Sequence, residues 1–227
     1  MWVKICGNTN LEDAAVAAEL GADAVGFVFA ESKRQVTAAQ VAAITAHLPA
    51  GVERVGVFYS HDAEEIAETV ETAGLTAVQL HGGLDEGLLV RLSERFGERV
   101  RIIQTLHWTV GGENGSATAE QLADQIERIA ALRIVDRVLI DSKVGAAGGG
   151  TGVTFDWARA RGLFASAPRG VHLILAGGLK PENVAQAIAE LEPWGVDVSS
   201  GVEATPGKKS PERLASFIEN ARATVLP

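Results

Sequence analysis

The 227 residues, 47% hydrophobic and 22% charged, have the balance of a globular chain that can bury a large core, at the usual size of one (β/α)8 barrel. A net charge of −9 argues against nucleic acid or an anionic membrane surface as a partner, so an anionic ligand has to be held by local amides and a few basic side chains. The lone Cys6 excludes an internal disulfide, no Cys cluster suggests zinc, and neither a secretory signal nor an apolar run of ~18 residues is present, so the expected location is the cytoplasm.

Residues 2–6 read as a short strand ended by Gly7-Asn8-Thr9-Asn10, and Asn10 is a good N-cap for the alanine-rich helix that runs to Gly21. Residues 22–29 are nearly all apolar, as a parallel strand covered on both faces should be. A polar loop at 31–35 leads to a helix capped by Thr37, with Val41, Ile44 and Leu48 on one face. Strand three is expected at 54–58, and Asp62 with Glu65 has capping-box spacing before a helix faced by Ile66, Val70 and Ala73. Strand four at 75–80 ends in His81-Gly82-Gly83, before a helix from about 84 to 96. Strand five is expected at 100–106. The glycine-containing loop at 108–118 reads as an exposed excursion in preference to a mobile cover. Leu122, Ile126 and Ile129 then show helical spacing, strand six is expected at 137–141, and a glycine-rich loop at 142–152 precedes a helix carrying Trp157 and Leu163.

Two strand–glycine units in series follow. The first ends in Ala176-Gly177-Gly178, with a helix opening over 179–182; the second is Gly195-Val196-Asp197-Val198-Ser199-Ser200-Gly201. Small residues let the backbone approach a ligand, and amides exposed at such turns make a seat for a dianion. Ser210-Pro211 starts the last helix as N-cap and first helical residue, with Leu214, Phe217, Ile218 and Ala221 inward. Eight strands alternate with eight helices without a linker to cut the chain, which forces parallel pairing with helical crossovers. A doubly wound open sheet also alternates, but eight units in this length favour a closed α/β barrel, one domain over residues 1–227, with its loops converging at the C-terminal ends of the strands.

Eight motifs lie in order along the chain: Lys4-Ile5-Cys6-Gly7, Gly26-Phe27-Val28-Phe29, Ser32-Lys33-Arg34, Gln79-Leu80-His81-Gly82, Gly149-Gly150-Thr151-Gly152, Phe155-Asp156-Trp157, Ala176-Gly177-Gly178-Leu179 and Asp197-Val198-Ser199-Ser200-Gly201-Val202-Glu203. Together they resemble the phosphoribosylanthranilate isomerase family of tryptophan biosynthesis, from residue 1 to about residue 220. The resemblance implies an Amadori rearrangement of N-(5-phosphoribosyl)anthranilate to 1-(2-carboxyphenylamino)-1-deoxyribulose 5-phosphate, with no organic cofactor and no metal. It implies Cys6 as the base and Asp141 as the acid. Arg34 is then the expected grip on the anthranilate carboxylate, since a guanidinium offers a planar carboxylate two hydrogen bonds. The phosphate is expected on backbone amides of Gly149, Gly150, Thr151, Gly152, Gly177, Gly178, Ser200 and Gly201.

The two catalysts make opposed demands. Cys6 has to spend time as thiolate, so its pKa is expected below the reference of ~8.5, with help from Lys4 on the same strand face. Asp141 has to keep a proton, which calls for desolvation or nearby negative charge. A lone strand cysteine is more often an inert buried hydrophobe, and a strand-end Asp more often a turn or cap residue. Cys6 gains from its strand-end position before Gly7-Asn8; Asp141 rests mainly on the resemblance. Gln79 shares the inward alternation and could support Cys6 or the anthranilate, a structural hydrogen bond is the expected employment of His81, and Asp197 is assigned no role. Gln104 is expected to end strand five where relatives often carry a basic residue. The alternatives are another phosphosugar isomerase, an epimerase, which would need metal-binding His and Asp at several strand ends not clearly displayed here, or a non-catalytic phosphate- or flavin-binding barrel. Nothing in the sequence assigns an oligomeric state.

Overall fold

The computed structural model describes residues 1–110, 118–144 and 157–223. The first half runs β1 (Trp2–Ile5), α1 (Leu11–Glu19), β2 (Ala24–Val28), α2 (Ala38–Thr45), β3 (Glu53–Phe58), α3 (Ala63–Ala73), β4 (Ala77–Leu80) and α4 (Glu86–Phe96). The second runs β5 (Arg101–Val110), α5 (Ala119–Leu132), β6 (Arg137–Val144), α6 (Trp157–Ala165), β7 (His172–Ala176), α7 (Val184–Leu191), β8 (Gly195–Val198), a short hairpin of β9 (Glu203–Thr205) and β10 (Lys208–Lys209), and α8 (Pro211–Ala223). Strands β1 to β8 pair in sequence order and close into a barrel. Closure is made by β8 returning parallel to β1, from Trp2 against Gly195 to Ile5 against Val198. Among the described residues no helix is long and apolar enough to cross a membrane.

The local signals act as their chemistry predicts. Asn10 accepts from the Asp13 amide, and Thr37 and Thr118 each form a full capping box, with Gln40 and Gln121. Asp62 caps α3 through the Glu64 and Glu65 amides, but the Glu65 carboxylate accepts from the Ser60 hydroxyl, so the expected capping box is only half made. Other expectations need correction. Strand β5 runs on to Val110 and β6 to Val144, because each supplies the other's ladder, from Ile103 against Arg137 to Val110 against Val144. The stretch from Trp108 to Val110 is therefore strand and not loop; residues 111–117 lie outside the described residues. Helix α7 starts at Val184, after a turn in which the Asn183 side chain accepts from the Lys180 amide. The β9–β10 hairpin was not foreseen.

Side chains sort by strand alternation into two cores. Trp2, Ala24, Val55, Ala77, Ile103, Leu139, Ile174 and Ala176 cluster inside the barrel, while the outward apolar faces pack under the helices. Above that inner floor the same alternation turns polar: Lys4, Gln79, Thr105 and Asp197 are all buried, with Gln79 donating to the Thr105 hydroxyl at 3.2 Å. A polar middle layer in a closed barrel costs desolvation, and it places reactive groups just below the C-terminal mouth.

Candidate active site

A pocket of about 400 Å³ opens at that mouth. Its lining includes Cys6 after β1, Arg34 after β2, Gln79 in β4, His81 after β4 and Asp141 in β6, with Gly177, Gly178, Ser200 and Gly201 closing one side. The described candidates thus share one cavity. Gly149, Gly150, Thr151 and Gly152 lie outside the described residues. Gly177 and Gly178 both have positive φ, 91° and 65°, a conformation that glycine adopts without strain. At Gly201 a Cβ would stand 1.9 Å from the Leu179 carbonyl oxygen, so only glycine lets the turn after β8 close against the turn after β7.

Cys6 is 7% exposed, and its amide donates to the Val198 carbonyl at 2.8 Å, which continues the β1–β8 seam. Lys4 lies fully buried beneath it and donates to the Asp197 carboxylate at 2.9 Å, across the strand pair that sets the two residues side by side. Lys4 Nζ and Cys6 Sγ both occupy space that Gly26 leaves open: a Cβ there would stand 3.0 Å from the nitrogen and 2.8 Å from the sulfur. The cluster therefore holds two acids against one base. Burial pushes the Cys6 thiol above its ordinary range, only partly offset by Lys4, and Asp197 adds to the rise. The Asp197 carboxyl is also raised, first by burial. Burial acts to lower Lys4, but Asp197 and Cys6 together outweigh it and hold the ammonium above its ordinary value. The expected lowering of the Cys6 pKa is thus corrected. Lys4 does reach it, but the loss of water outweighs Lys4 and the more weakly felt Lys209.

Arg34 points its Nε and Nη2 at Glu203, at 2.6 and 2.7 Å. That edge of the guanidinium is taken by the protein, and a ligand carboxylate would meet the other edge, Nη1 with Nη2. Glu203 also accepts from Lys209, whose buried ammonium donates to the Cys6 and Ser199 carbonyls at 2.6 and 3.1 Å. Lys209 comes from β10 and so ties the hairpin to the ends of β1 and β8. Glu203 lies in the last of the eight motifs, but its meeting with Lys209 depends on the hairpin and leaves no signal in a short stretch of sequence.

Asp141 does not stand alone. His107, its direct β5 partner in the ladder, has Nδ1 at 3.7 Å from the Asp141 carboxylate, and His81 Nε2 is at 3.6 Å. The two rings meet edge to face with centroids 4.5 Å apart. His81 thus faces the site instead of serving only structure. Gln104 turns away from the pocket and donates to the Thr105 and Gly83 carbonyls. The longer β5 puts His107 where the basic residue was sought. The sequence does not clearly display metal-binding His and Asp residues at several strand ends; in the fold His81, His107 and Asp141 offer ligand atoms all within 4.8 Å of one another.

The sequence profile of N-(5'-phosphoribosyl)anthranilate (PRA) isomerases matches residues 3–220. The chain belongs to this family. It is 41% identical to the N-(5'-phosphoribosyl)anthranilate isomerase of Pelobacter propionicus, over 98% of this chain and 96% of that one. The crystal structure of phosphoribosyl anthranilate isomerase from Thermotoga maritima superposes with a TM-score of 0.81 at 39% identity, covering 98% of this chain and 99% of that chain. A second phosphoribosyl anthranilate isomerase structure, in complex with reduced 1-(o-carboxyphenylamino)-1-deoxyribulose 5-phosphate, matches with a TM-score of 0.79 at 37% identity, over 98% and 99% of the two chains. As a member of the PRA isomerase family the protein is an enzyme, an intramolecular oxidoreductase of tryptophan biosynthesis.

Proposed function

We propose that this chain, as one barrel domain in the cytoplasm, converts N-(5'-phosphoribosyl)anthranilate to 1-(2-carboxyphenylamino)-1-deoxyribulose 5-phosphate, with Asp141 as general acid and Cys6 as general base. The observation that carries the reading is that both side chains line one 400 Å³ pocket whose wall is the glycine turns after β7 and β8. Those turns seat the phosphate of the ligand, as the resemblance to relatives that act on a phosphosugar implies. The second edge of the Arg34 guanidinium takes the anthranilate carboxylate, while Glu203 fixes its plane.

Every step is then a proton transfer. Asp141 gives its proton to the furanose ring oxygen, the C1–O bond breaks, and the anthranilate nitrogen lone pair makes the C1=N bond of a cationic Schiff base. Cys6 takes the C2 proton, and the electrons of that bond return to nitrogen through C1=C2, leaving an enolamine. Protonation at C1 with loss of the enol proton gives the ketone. A thiol that titrates high is scarce as thiolate in the empty pocket but is a strong base once ionised. The iminium cation formed by ring opening favours the thiolate at the moment it is needed, adding to the Lys4 ammonium below.

Disappearance of the fluorescent anthranilate sugar tests the assignment. Cys6→Ala and Asp141→Asn are each expected to lower kcat by ~10²–10⁴-fold while leaving the affinity for a product analogue within a few-fold. Binding lost in parallel with turnover would assign the side chains to holding ligand or fold; normal turnover in either variant would remove it from the mechanism.

A further inference from the structure

The carboxylate read as the acid sits between two imidazoles, and the local hydrogen bonds set how they face it. His107 Nε2 lies 3.0 Å from the His81 carbonyl oxygen. A carbonyl only accepts, so Nε2 carries the proton, and in the neutral ring Nδ1 turns a lone pair toward Asp141 at 3.7 Å. A lone pair facing a carboxylate is repulsive unless a proton or a metal ion stands between them. A backbone carbonyl that fixes the far nitrogen is also the support that metal-bound imidazoles commonly have. His81 Nε2 faces the same oxygen, Asp141 Oδ2, from a second direction at 3.6 Å. A tetrahedral ion with bonds of ~2.0–2.1 Å sets its ligand atoms about 3.3 Å apart, so the two distances to Asp141 are near that spacing and the three atoms, all within 4.8 Å of one another, draw together by side-chain rotation. The three side chains are 13–31% exposed, dry enough to strengthen coordination and open enough for an ion to enter from the pocket. Three adjacent strands supply them, with His81 just after β4 and His107 and Asp141 within β5 and β6, and the β5–β6 ladder fixes His107 opposite Asp141.

We propose that His81, His107 and Asp141 form a binding site for a divalent transition-metal ion of the zinc class, and that the bound ion inhibits the isomerase. Two imidazoles and one carboxylate suit Zn²⁺, Co²⁺ or Ni²⁺, whereas Mg²⁺ and Ca²⁺ prefer all-oxygen sets. An Asp141 oxygen bound to the ion cannot deliver a proton to the ring oxygen, so occupancy and turnover exclude each other. The inhibition rests on Asp141 as proton donor; the binding does not.

The test titrates purified, EDTA-treated and dialysed protein with CoCl2, following visible absorption, and with ZnCl2 by calorimetry. One equivalent of Co²⁺ is expected to bind with a tetrahedral or five-coordinate spectrum, and Mg²⁺ in excess is expected not to displace it. Stoichiometric Zn²⁺ is expected to lower kcat/KM by tenfold or more, restored by EDTA. His107→Gln is expected to lose both the Co²⁺ spectrum and the zinc sensitivity, so that its remaining turnover is the same with and without Zn²⁺; His81→Gln is expected to lose the spectrum as well. Circular dichroism confirms folding of each variant. Cys6→Ser is expected to retain the Co²⁺ spectrum, which separates this site from capture by the thiol. Wild-type binding in His107→Gln and His81→Gln, or loss of binding in Cys6→Ser with retention in both histidine variants, would overturn the site. Absent turnover in the metal-free wild type with an intact Co²⁺ site would instead overturn the proposed reaction.

Discussion

A lysine stripped of water keeps its proton only where anions stand close, and Lys4 has two acids within reach. Its charge stabilises Asp197 in the resting protein and the Cys6 thiolate during the reaction. Lys4→Met therefore acts twice. It leaves Asp197 buried without its partner, a loss of about 3–5 kcal/mol for a broken buried pair. It also moves the thiol further up, so kcat/KM falls. Adding Asp197→Asn is expected to recover much of the thermal stability but not the turnover, which separates the structural effect from the catalytic one. Because burial holds the Cys6 thiol above its ordinary range, the thiolate fraction grows with pH through that raised value. The rate of Cys6 alkylation by iodoacetamide in the wild type is expected to climb past pH ~8.5, the ordinary thiol value, and a plateau well below it would show that the thiol is not raised. From the sequence, Lys4 was legible as an inward neighbour of Cys6 because strand alternation is local. Asp197 was not, because it lies 193 positions away and meets Lys4 only when the barrel closes.

The β9–β10 hairpin does for the mouth what a clasp does, and its carboxylate is the joint. Glu203 receives the Arg34 fork, the Lys209 ammonium and the Gly207 amide. Burial acts to raise its pKa, but Arg34 and Lys209 outweigh burial and hold it below the ordinary carboxylate range. A depressed carboxyl contributes stability that is complete above its unfolded value of about 4.5 and is lost as pH falls through the lower folded value. The stability difference between wild type and Glu203→Gln is thus expected to be constant above that point and to shrink in more acid solution. Denaturant titrations at a series of pH values measure it. In the neighbouring turn, Gly201→Ala drives a methyl into the Leu179 carbonyl and must push the two glycine turns apart. The expected result is a KM for the phosphosugar raised tenfold or more with a smaller change in kcat, read from initial rates. The glycine turns were visible in the sequence as strand ends, whereas the hairpin, two strands of three and two residues, has too short a pattern to read.

Across the whole molecule, stability and chemistry occupy opposite ends of the barrel. At the N-terminal mouth Trp2 and Trp194 stack with centroids 5.4 Å apart, and Arg137 lies against both, 5.3 and 5.0 Å from their centroids, and donates to Glu53 at 2.6 Å. His172 also stacks on Trp194, with centroids 4.7 Å apart. The plug joins β1, β3, β6 and β7 to the loop before β8, and so ties the first strand to the last. Arg137→Ala is expected to cost about 3 kcal/mol, or roughly 6–12 °C in Tm, while kcat/KM of the folded enzyme stays within twofold. A large fall in kcat/KM without a fall in Tm would show that the two ends are coupled.

Sequence alone determined the order of strands and helices, the caps at Asn10, Thr37 and Thr118, and the closed parallel barrel, because periodicity, capping and alternation act over a few residues. It also brought Cys6, Asp141, Arg34 and the glycine turns to the ends of strands, which the barrel then had to gather at one mouth. Tertiary structure alone decided what each of them faces. The direction of the Cys6 pKa depends on how much water the closed barrel excludes, the free edge of Arg34 on a carboxylate 169 positions away, and the setting of Asp141 on two imidazoles supplied by other strands. Such encounters depend on burial and on long-range register, and neither is written in any short stretch of chain.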